Sequence, residues 1–537
     1  MRRFTLPTLI IHWAFVLFSG LSILSGFSIA NDHRNWKTPA LFDSLLINNH
    51  VFVWHTIAAI GLVVSLVLYI SYIFVTNQTA SVWPKRFQFK NTFQPGNKHP
   101  LSAFTNLLGL ILLVCLCTTG VLNLLEQSFS TGWIRDSHWI AALGLLLFFF
   151  IHPAQKLITW GYRILASLFQ IKRTPTLKQF GLIFLAAVTC LVITQYQGLL
   201  IQKHILVMAA ERAPIIDGND SDSAWAIPAT SIITKLGNTP EYNTEVNIKS
   251  VIKGDMIYFL LQWKDENKSL SHVPLLKTQQ HWQPVEDGFS QDNEQTFYED
   301  KLAIMIGKHP LDAMRSIHLG ANPIKGAPTP RHGRGYHYFH NENLVDVWQW
   351  KAWRTNSLFQ ADDNYFTQPL PPKTCDKRYT AGYEHDPSQG GGYKPNWQEY
   401  DTQQITPKRL PKGDRFILPF NQQDEISGQL RAGMRWADTF VFEPHLDRIP
   451  ANHVMPSFLT KGPLQGDRAS VKARGTWKDG VWTLELARLI DTGSPYDVAF
   501  SDTTYIWVAL FNHAQTRHSY HLRPLALQLH TNRGNAQ

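Results

Sequence analysis

Residues 138–152 read HWIAALGLLLFFFIH, an apolar run with a histidine at each end. In an α-helix this fourteen-residue spacing corresponds to roughly four turns and a rise of about 21 Å. His138 and His152 would therefore face the same side of one helix at different depths. Ionisable residues are costly in lipid, so two of them in a run that could cross a membrane indicate a function.

Four more apolar stretches accompany this one in the first 203 residues, and all five are long enough to cross a hydrocarbon core of ~30 Å. They lie at about 8–30, 51–75, 101–125, 138–159 and 179–201. Lipid offers backbone polar groups no partner, so each stretch should be helical. Residues 1–203 are therefore predicted to form an all-α membrane bundle of five transmembrane helices.

The formal charge of +9 does not indicate nucleic-acid binding, because lysine and arginine form no dense run interleaved with aromatic residues. The basic residues of the N-terminus and of the second and fourth loops are Arg2, Arg3, Lys85, Arg86, Lys90, Lys98, Lys156, Arg163, Lys172, Arg173 and Lys178. The alternate loops hold Arg34, Lys37 and Arg135. This asymmetry predicts a cytoplasmic N-terminus in a bacterial inner membrane. Five crossings then place everything beyond residue 201 in the periplasm.

Two further histidines match the depths of the first two. The first span runs outward, so His12 lies near the cytoplasmic face, and the second runs inward, so His55 lies near the outer face. Pairing by depth joins His12 to His152 and His55 to His138. Two imidazole pairs between helices are what two six-coordinate b haems require as iron ligands.

Two alternatives remain open for these histidines. They could be isolated polar residues that hydrogen-bond between helices, and His50 could replace His55 as a ligand. A covalently attached haem is excluded, because none of the four cysteines, Cys115, Cys117, Cys190 and Cys375, belongs to a Cys-x-x-Cys-His motif.

The first 200 residues resemble the di-haem cytochrome b subunits of respiratory formate dehydrogenases and hydrogenases. The residues that carry the resemblance are Arg3-Phe4, His12-Trp13, Ser25-Gly26, His55, Gly61, His138 and His152. The resemblance implies the same histidine pairing and an exchange of electrons with the quinone pool.

Residues 204–537 change to short alternating segments separated by Asp, Gly, Pro and Asn turns, which predicts an all-β, sandwich-type domain. The predicted strands lie at 245–249, 256–263, 301–306, 482–486, 505–511 and 524–530. The stretch 320–416 is predicted to be rich in loops, including the glycines at 390–392. Asp362-Asp363-Asn364 suggests calcium, but no twelve-residue loop with a closing Glu follows, so a solvated turn is predicted.

This half resembles the haem b subunit of ethylbenzene dehydrogenase and related molybdoenzymes. Five blocks carry the resemblance in order: Asp217-Gly218 with Trp225, residues 256–265 (MIYFLLQWKD), 298–304 (YEDKLAI), 347–352 (VWQWKA) and 475–482 (GTWKDGVW). The resemblance implies a β-sandwich with one b haem between a mid-chain ligand and a ligand near the C-terminal strands.

That family uses a methionine and a lysine as axial ligands, and this chain departs from the pattern. His318 stands in the mid-chain segment, with Met314 as the alternative, and His518 stands in the C-terminal segment, with His521 as the alternative. A second possibility for this region is a zinc site, for which the candidates are His332, His337 and His340.

The function predicted from the sequence is electron transfer by a membrane-bound b-type cytochrome with two haems in the bundle and one in the C-terminal domain. Its partners would be membrane lipid, the quinone pool and a periplasmic protein, either a c-type cytochrome or a molybdoenzyme. Two alternatives are a terminal reductase of a small acceptor at the exposed haem and a non-redox ligand-binding domain tethered to the membrane.

Overall fold

The computed structural model describes residues 6–33, 46–47, 49–75, 98–125, 132–162, 168, 177–234, 236–237, 244–286, 296–319, 322–327, 336–340, 343–372, 379–397, 404–420 and 432–530. The chain divides into two compact units, and the main boundary lies between Ile201 and Gln202.

The N-terminal unit is helical. Its helices are α1 (Leu6–His33), α2 (Val51–Val75), α3 (Lys98–Leu125), α4 (Gly132–Trp160) and α5 (Leu177–Ile201). Each predicted stretch lies inside one of them. Among the described residues, α1 to α4 are long and apolar enough to cross a membrane, and α5 is not among these candidate spans. Four spans are therefore confirmed by length and composition, and the crossing by α5 stays a prediction.

Glycines let these helices approach one another closely. A Cβ atom at Gly61 of α2 would come within 2.5 Å of the Phe18 ring of α1, and one at Gly109 of α3 within 2.6 Å of the Phe148 ring of α4. Small residues are the usual means of packing helices in lipid, where no hydrophobic force drives helices together. The same helices turn large apolar side chains outward, among them Phe74 and Phe150.

The C-terminal unit consists mainly of strands. They are β1 (Lys203–Ala209), β2 (Thr230–Thr234), β3 (Leu236–Gly237), β4 (Thr244–Lys253), β5 (Met256–Lys264), β6 (Leu275–Lys277), β7 (Trp282–Pro284), β8 (Lys301–Gly307), β9 (Ile317–His318), β10 (Tyr336–His337), β11 (Val345–Lys351), β12 (Asp362–Phe366), β13 (Tyr383–His385), β14 (Gly390–Pro395), β15 (Arg409–Pro411), β16 (Leu418–Pro419), β17 (Met434–Arg435), β18 (Thr439–Val441), β19 (His453–Met455), β20 (Phe458–Gln465), β21 (Lys472–Lys478), β22 (Val481–Leu489), β23 (Tyr505–Phe511), β24 (Ser519–Tyr520) and β25 (Leu525–His530). A short helix, α6 (Asp312–Ser316), precedes β9. All six predicted strands are present.

One sheet of fourteen strands dominates the described part of this unit. Eleven of its strands follow the order β13-β12-β11-β8-β23-β25-β1-β4-β5-β22-β21. The other three lie off this path: β2 pairs with β4, and β24 pairs with β23 and β3. Strand β1 lies near its middle and pairs in parallel with both β25 and β4, whereas the neighbouring pairs β4-β5 and β5-β22 are antiparallel.

The sheet curls until distant strands pack face to face. Trp263 of β5 lies 6.0 Å from Trp350 of β11, between ring centroids, although the two strands are not neighbours in the sheet. Near the sheet's two ends, the Ala361 N–H donates to the Val471 carbonyl at 3.1 Å. The predicted β-rich domain is thus confirmed, and its core is enclosed by one curled sheet rather than by two separate ones.

Two local predictions are wrong. Asp362-Asp363-Asn364 is not a solvated turn but part of β12, and all three residues are fully buried. The glycines at 390–392 form the start of β14, where positive φ angles accommodate a bulge against β20. The stretch 320–416, predicted to be rich in loops, also holds the short strands β10 to β15, because pairing with strands far along the chain orders segments that have little pattern of their own.

Candidate functional site

His55 and His138 meet in the membrane bundle. Their ring centroids lie 6.3 Å apart and their planes cross at 77°. A metal between two imidazole nitrogens, with bonds of ~2 Å to each, needs ring centroids about 6 Å apart. The two rings therefore have the spacing that one shared iron requires.

A hydroxyl group holds the Nδ1 atom of each of these rings. Ser25 Oγ lies 3.0 Å from Nδ1 of His55, and Thr119 Oγ1 lies 2.9 Å from Nδ1 of His138. Residues 25–26 and 119–120 share a Ser/Thr-Gly pattern. Each glycine packs against the imidazole ring that the preceding residue holds. A Cβ atom added at Gly26 would lie 3.3 Å from Cε1 of His55, and one added at Gly120 would lie 3.4 Å from Cε1 of His138.

These contacts fix which ring nitrogen carries the proton. A hydroxyl has one proton to donate. Ser25 directs it to the Leu21 carbonyl and Thr119 to the Cys115 carbonyl, both at 2.7 Å. Each hydroxyl oxygen must then accept from the Nδ1–H of its histidine. Nε2 is left unprotonated on both rings, which is the form that binds a metal, with the other nitrogen oriented by a second partner.

The second pair predicted by depth consists of His12 and His152. His12 is among the groups close enough to His152 to act on it electrostatically. Nδ1 of His152 is buried and has no hydrogen-bond partner among the residues described, and its ring lies 5.0 Å from that of Phe148. Buried nitrogens without a partner are rare in native proteins, so hydrogen bonding among the described residues does not account for Nδ1 of His152.

His50, the alternative to His55, lies just before α2. Its φ angle is 51° and its carbonyl accepts a hydrogen bond from the Trp54 N–H at 3.0 Å. It thus serves as the start of the helix, while His55 one turn later faces His138.

In the C-terminal unit, β9 and β10 form a short ribbon that separates two histidines. The register pairs His318 with Tyr336 and His337 with Ile317. Because paired residues point to the same face and neighbours along a strand to opposite faces, His318 and His337 face opposite sides of the ribbon.

His318 is fully buried on its side of the ribbon. Its ring stacks on Tyr338 at 3.7 Å, and its Nε2 lies 3.0 Å from the Tyr338 carbonyl. A carbonyl can only accept, so Nε2 carries the proton and only Nδ1 could bind a metal. Met314 is likewise buried, in α6.

His337 lies against His518, with ring centroids 6.4 Å apart. Nδ1 of His337 is buried and lacks a hydrogen-bond partner among the described residues, and burial lowers the pKa of His337 to about 4. Nδ1 of His518 donates to the Thr516 carbonyl at 2.6 Å, which leaves the lone pair on Nε2. The rings of Phe366 and Phe511 stack on His337 and His518 respectively.

His521 uses both of its ring nitrogens. Its Nδ1–H donates to the Arg523 carbonyl at 2.8 Å, and Nε2 accepts from the Val508 N–H at 2.9 Å. It therefore offers no nitrogen to a metal in this arrangement. Of the zinc candidates, His332 lies outside the described residues, while His337 and His340 contact different rings, those of His518 and His318.

Sequence reasoning missed three roles at these sites. It did not identify Ser25 and Thr119 as ring partners, and it named His337 only as a zinc candidate and not as the partner of His518. The repeated Ser/Thr-Gly pattern could have pointed to the first two. No pattern in the sequence distinguishes His337 from His318, because the choice depends on the register of β9 and β10.

Comparison with known families bears on both halves of the chain. A family described as Ethylbenzene dehydrogenase matches residues 222–523, more than half of the chain, and a family described as Prokaryotic cytochrome b561 matches residues 3–169. No curated protein matches the chain. Both resemblances noted in the sequence, and their order along the chain, are thereby confirmed.

Proposed function

Because the chain belongs to the ethylbenzene dehydrogenase family and is joined to a membrane domain of the cytochrome b561 type, we propose that it carries electrons between the quinone pool and a periplasmic protein, through two haems in the bundle and one in the C-terminal domain. The coarser statement, a membrane b-type cytochrome in electron transfer, follows from the two families. The finer one is supported by the histidine pairs.

The single observation that carries the proposal is the pair His55–His138. Both rings present an unprotonated Nε2, because Ser25 and Thr119 accept the protons of the two Nδ1 atoms. A neutral imidazole oriented in this way is the usual axial ligand of a b haem. Haem b bound there would supply reversible one-electron transfer. The protein supplies ligands held by helices rather than by loops, which keeps their geometry fixed.

His12 and His152 would hold the second haem of the bundle. His138 and His152 share α4, and their separation along the helix axis is about 21 Å at the usual rise per residue. Two sites at this separation would lie near the two faces of a membrane.

The third haem site is proposed between His337 and His518. His518 is one of the residues expected from the sequence, and His337 takes the place expected for His318. The preference rests on three observations: the 6.4 Å ring separation, the unpartnered Nδ1 of His337, and the protonated Nε2 of His318. Aromatic rings on both histidines would keep water from the site.

The direction of the chain across the membrane stays a prediction from its basic residues. If α5 crosses, the C-terminal domain is periplasmic and its partner would be a c-type cytochrome or a molybdoenzyme. A quinol would then be oxidised, or a quinone reduced, beside the bundle.

The test is the haem content of the detergent-solubilised full-length chain. Three b haems per chain are expected. His55→Ala and His138→Ala should each remove one haem from the bundle, and His518→Ala and His337→Ala should each remove the C-terminal one, whereas His318→Ala should keep all three. Full haem content in both His55→Ala and His138→Ala would overturn the proposed path. Loss in His318→Ala with retention in His337→Ala would overturn only the third ligand pair.

Function is tested by mixing the reduced quinol with the oxidised protein. Rapid reduction of the haems is expected in wild type, and slower or absent reduction in His12→Ala. Haems that the quinol never reduces, in a protein that holds all three, would exclude the quinone pool as a partner.

A further inference from the structure

Four aspartates meet inside the C-terminal unit, away from the histidines described above. Asp346 lies on β11, Asp363 on β12, Asp386 just after β13 and Asp497 in the segment before β23. One carboxylate oxygen from each of Asp346, Asp363 and Asp497 lies within 4.8 Å of the others. Residues more than a hundred positions apart thus bring acidic groups to one point.

The charge of this group is poorly balanced. Arg488 extends into it, with Nη1 2.5 Å from Asp346 Oδ2, 3.6 Å from Asp497 Oδ1 and 3.9 Å from Asp363 Oδ2. Arg488 is the one cation paired with these carboxylates in the described part of the chain. Asp346, Asp363 and Arg488 are fully buried and Asp386 is 2% exposed. Four carboxylates against one guanidinium leave an excess of negative charge, which is costly to bury.

A second, independent observation is the set of carboxylate oxygens without a hydrogen-bond donor. Asp346 Oδ1, Asp497 Oδ1 and both oxygens of Asp386 are buried and lack one among the described residues. More than nine in ten buried polar groups of native proteins do have a partner. Asp386 is directed at Asp497 and Asp346, and burial together with these two charges raises its pKa to about 8.

Other oxygens of the group do accept hydrogen bonds. Asp346 Oδ2 also accepts the Val498 N–H at 3.2 Å, Asp497 Oδ2 accepts the Thr492 hydroxyl at 2.5 Å, and Asp363 Oδ2 accepts the Ser470 hydroxyl. Hydrogen bonds thus hold one oxygen each of Asp346, Asp363 and Asp497, whereas both oxygens of Asp386 lack a donor among the described residues.

We propose that Asp346, Asp363, Asp386 and Asp497 bind a divalent cation of the calcium type. The donors are all carboxylate oxygens, with no thiol or imidazole among them, which favours a hard cation over zinc or copper. Calcium accepts six to eight oxygens in irregular geometry, whereas magnesium demands a regular octahedron and keeps much of its water. Bound there, the ion would cross-link β11 and β12 to the segment before β23.

The test uses the full-length protein in detergent after removal of divalent ions with a chelator. Isothermal titration with CaCl₂ should give one site per chain, and Ca²⁺ should raise the thermal midpoint of the C-terminal unit. Tb³⁺ provides a direct probe. Trp348 lies 4.9 Å from the Arg488 guanidinium, so indole excitation should give terbium emission that Ca²⁺ abolishes.

The variants Asp386→Asn and Asp497→Asn should lower Ca²⁺ affinity at least tenfold and remove the terbium emission. Each relieves charge repulsion, so without calcium both should be at least as stable as wild type, which separates loss of the site from loss of the fold. Asp438→Asn is the matched control, because Asp438 lies in a surface ion pair with Arg435.

A wild-type protein that takes up no Ca²⁺ and has the same thermal midpoint with and without chelator would overturn the proposal. So would Ca²⁺ binding that Asp386→Asn and Asp497→Asn leave unchanged. Haem content is measured in each sample as well. A failure of calcium binding can then be distinguished from a failure of haem binding, on which the proposed electron path depends.

Discussion

Ser25 accepts a hydrogen bond from His55 across a helix interface, 3.0 Å between Oγ and Nδ1, and gives its own proton to the Leu21 carbonyl. The serine thus decides the protonation of the imidazole without any charge of its own. Thr119 stands in the same relation to His138, so the two rings of one proposed site are set by two hydroxyl groups.

Replacing Ser25 by alanine should therefore weaken haem binding at this pair. Loss of the partner that orients a ligating histidine typically costs ~10- to 100-fold in metal affinity. A less electron-rich imidazole should also raise the midpoint potential of the haem that remains. Spectroscopic redox titration measures both effects. Ser28→Ala is the control, because Ser28 donates to the Leu24 carbonyl at 3.1 Å and forms no hydrogen bond with a histidine among the described residues. Equal effects in the two variants would show that the hydroxyl of Ser25 has no special role.

Thr119→Val removes the corresponding partner of His138 while keeping the shape of the side chain. The midpoint potential of the same haem should rise in this variant. Thr119→Ser, which restores a hydroxyl, should return the midpoint potential toward that of wild type. Redox titration of the two variants side by side is the measurement. The idea fails if valine and serine give the same potential.

Glu485 should be important for the fold of the C-terminal unit. Its buried carboxylate accepts from Trp225 Nε1 at 2.8 Å and from the N–H groups of Asp217 and Gly218 at 2.9 and 2.8 Å. Glu485→Ala leaves three donors unsatisfied and should cost about 3 kcal/mol or more. Thermal unfolding followed by tryptophan fluorescence tests this. The exposed Glu443 provides the control, and a Glu443→Ala variant as unstable as Glu485→Ala would contradict the assignment.

His521 should make the protein less stable in acid. Burial lowers its pKa to about 3 in the folded chain, against about 6.5 when unfolded. As pH falls below 6.5 the unfolded state takes up the proton first, so stability that is fully present above this pH is lost on acidification, by about 3 kcal/mol at pH 4.

Comparison of wild type with His521→Gln isolates this contribution, because glutamine offers a donor and an acceptor but does not titrate. His337 and His385, whose pKa values burial also lowers to about 4, act equally in both proteins. The thermal midpoint of wild type should fall more steeply than that of the variant between pH 6.5 and pH 4. Parallel curves would assign the acid sensitivity elsewhere.

The parts of the structure that were predictable from the sequence depend on local periodicity. The long apolar run placed His138 and His152 on one helix, and alternation located strands such as 505–511 with the bounds that the structure has. These features depend on residues within one element, so a single stretch of sequence contains the information.

The parts that were not predictable depend on partners far along the chain. Asp362 has the character of a turn residue when only its neighbours in sequence are considered. In the structure it forms ion pairs with Lys351 and Arg468, and these make its burial in β12 possible. Burial alone would raise the pKa of Asp362, but the two positive charges keep it well below the ordinary value. His337 could be preferred over His318 only once the register of a two-residue ribbon was known.

Strands β1 and β25 run side by side from Lys203 paired with Leu525 to Met208 paired with His530. The first and last strands of the domain are therefore neighbours, in the middle of its sheet. A chain made from its N-terminus onward can insert its helices early, but it cannot complete this sheet until residue 530 has been synthesised. We expect the growing domain to depend on protection from aggregation and proteolysis during this interval, and a premature stop after β24 to leave the two halves of the sheet unjoined.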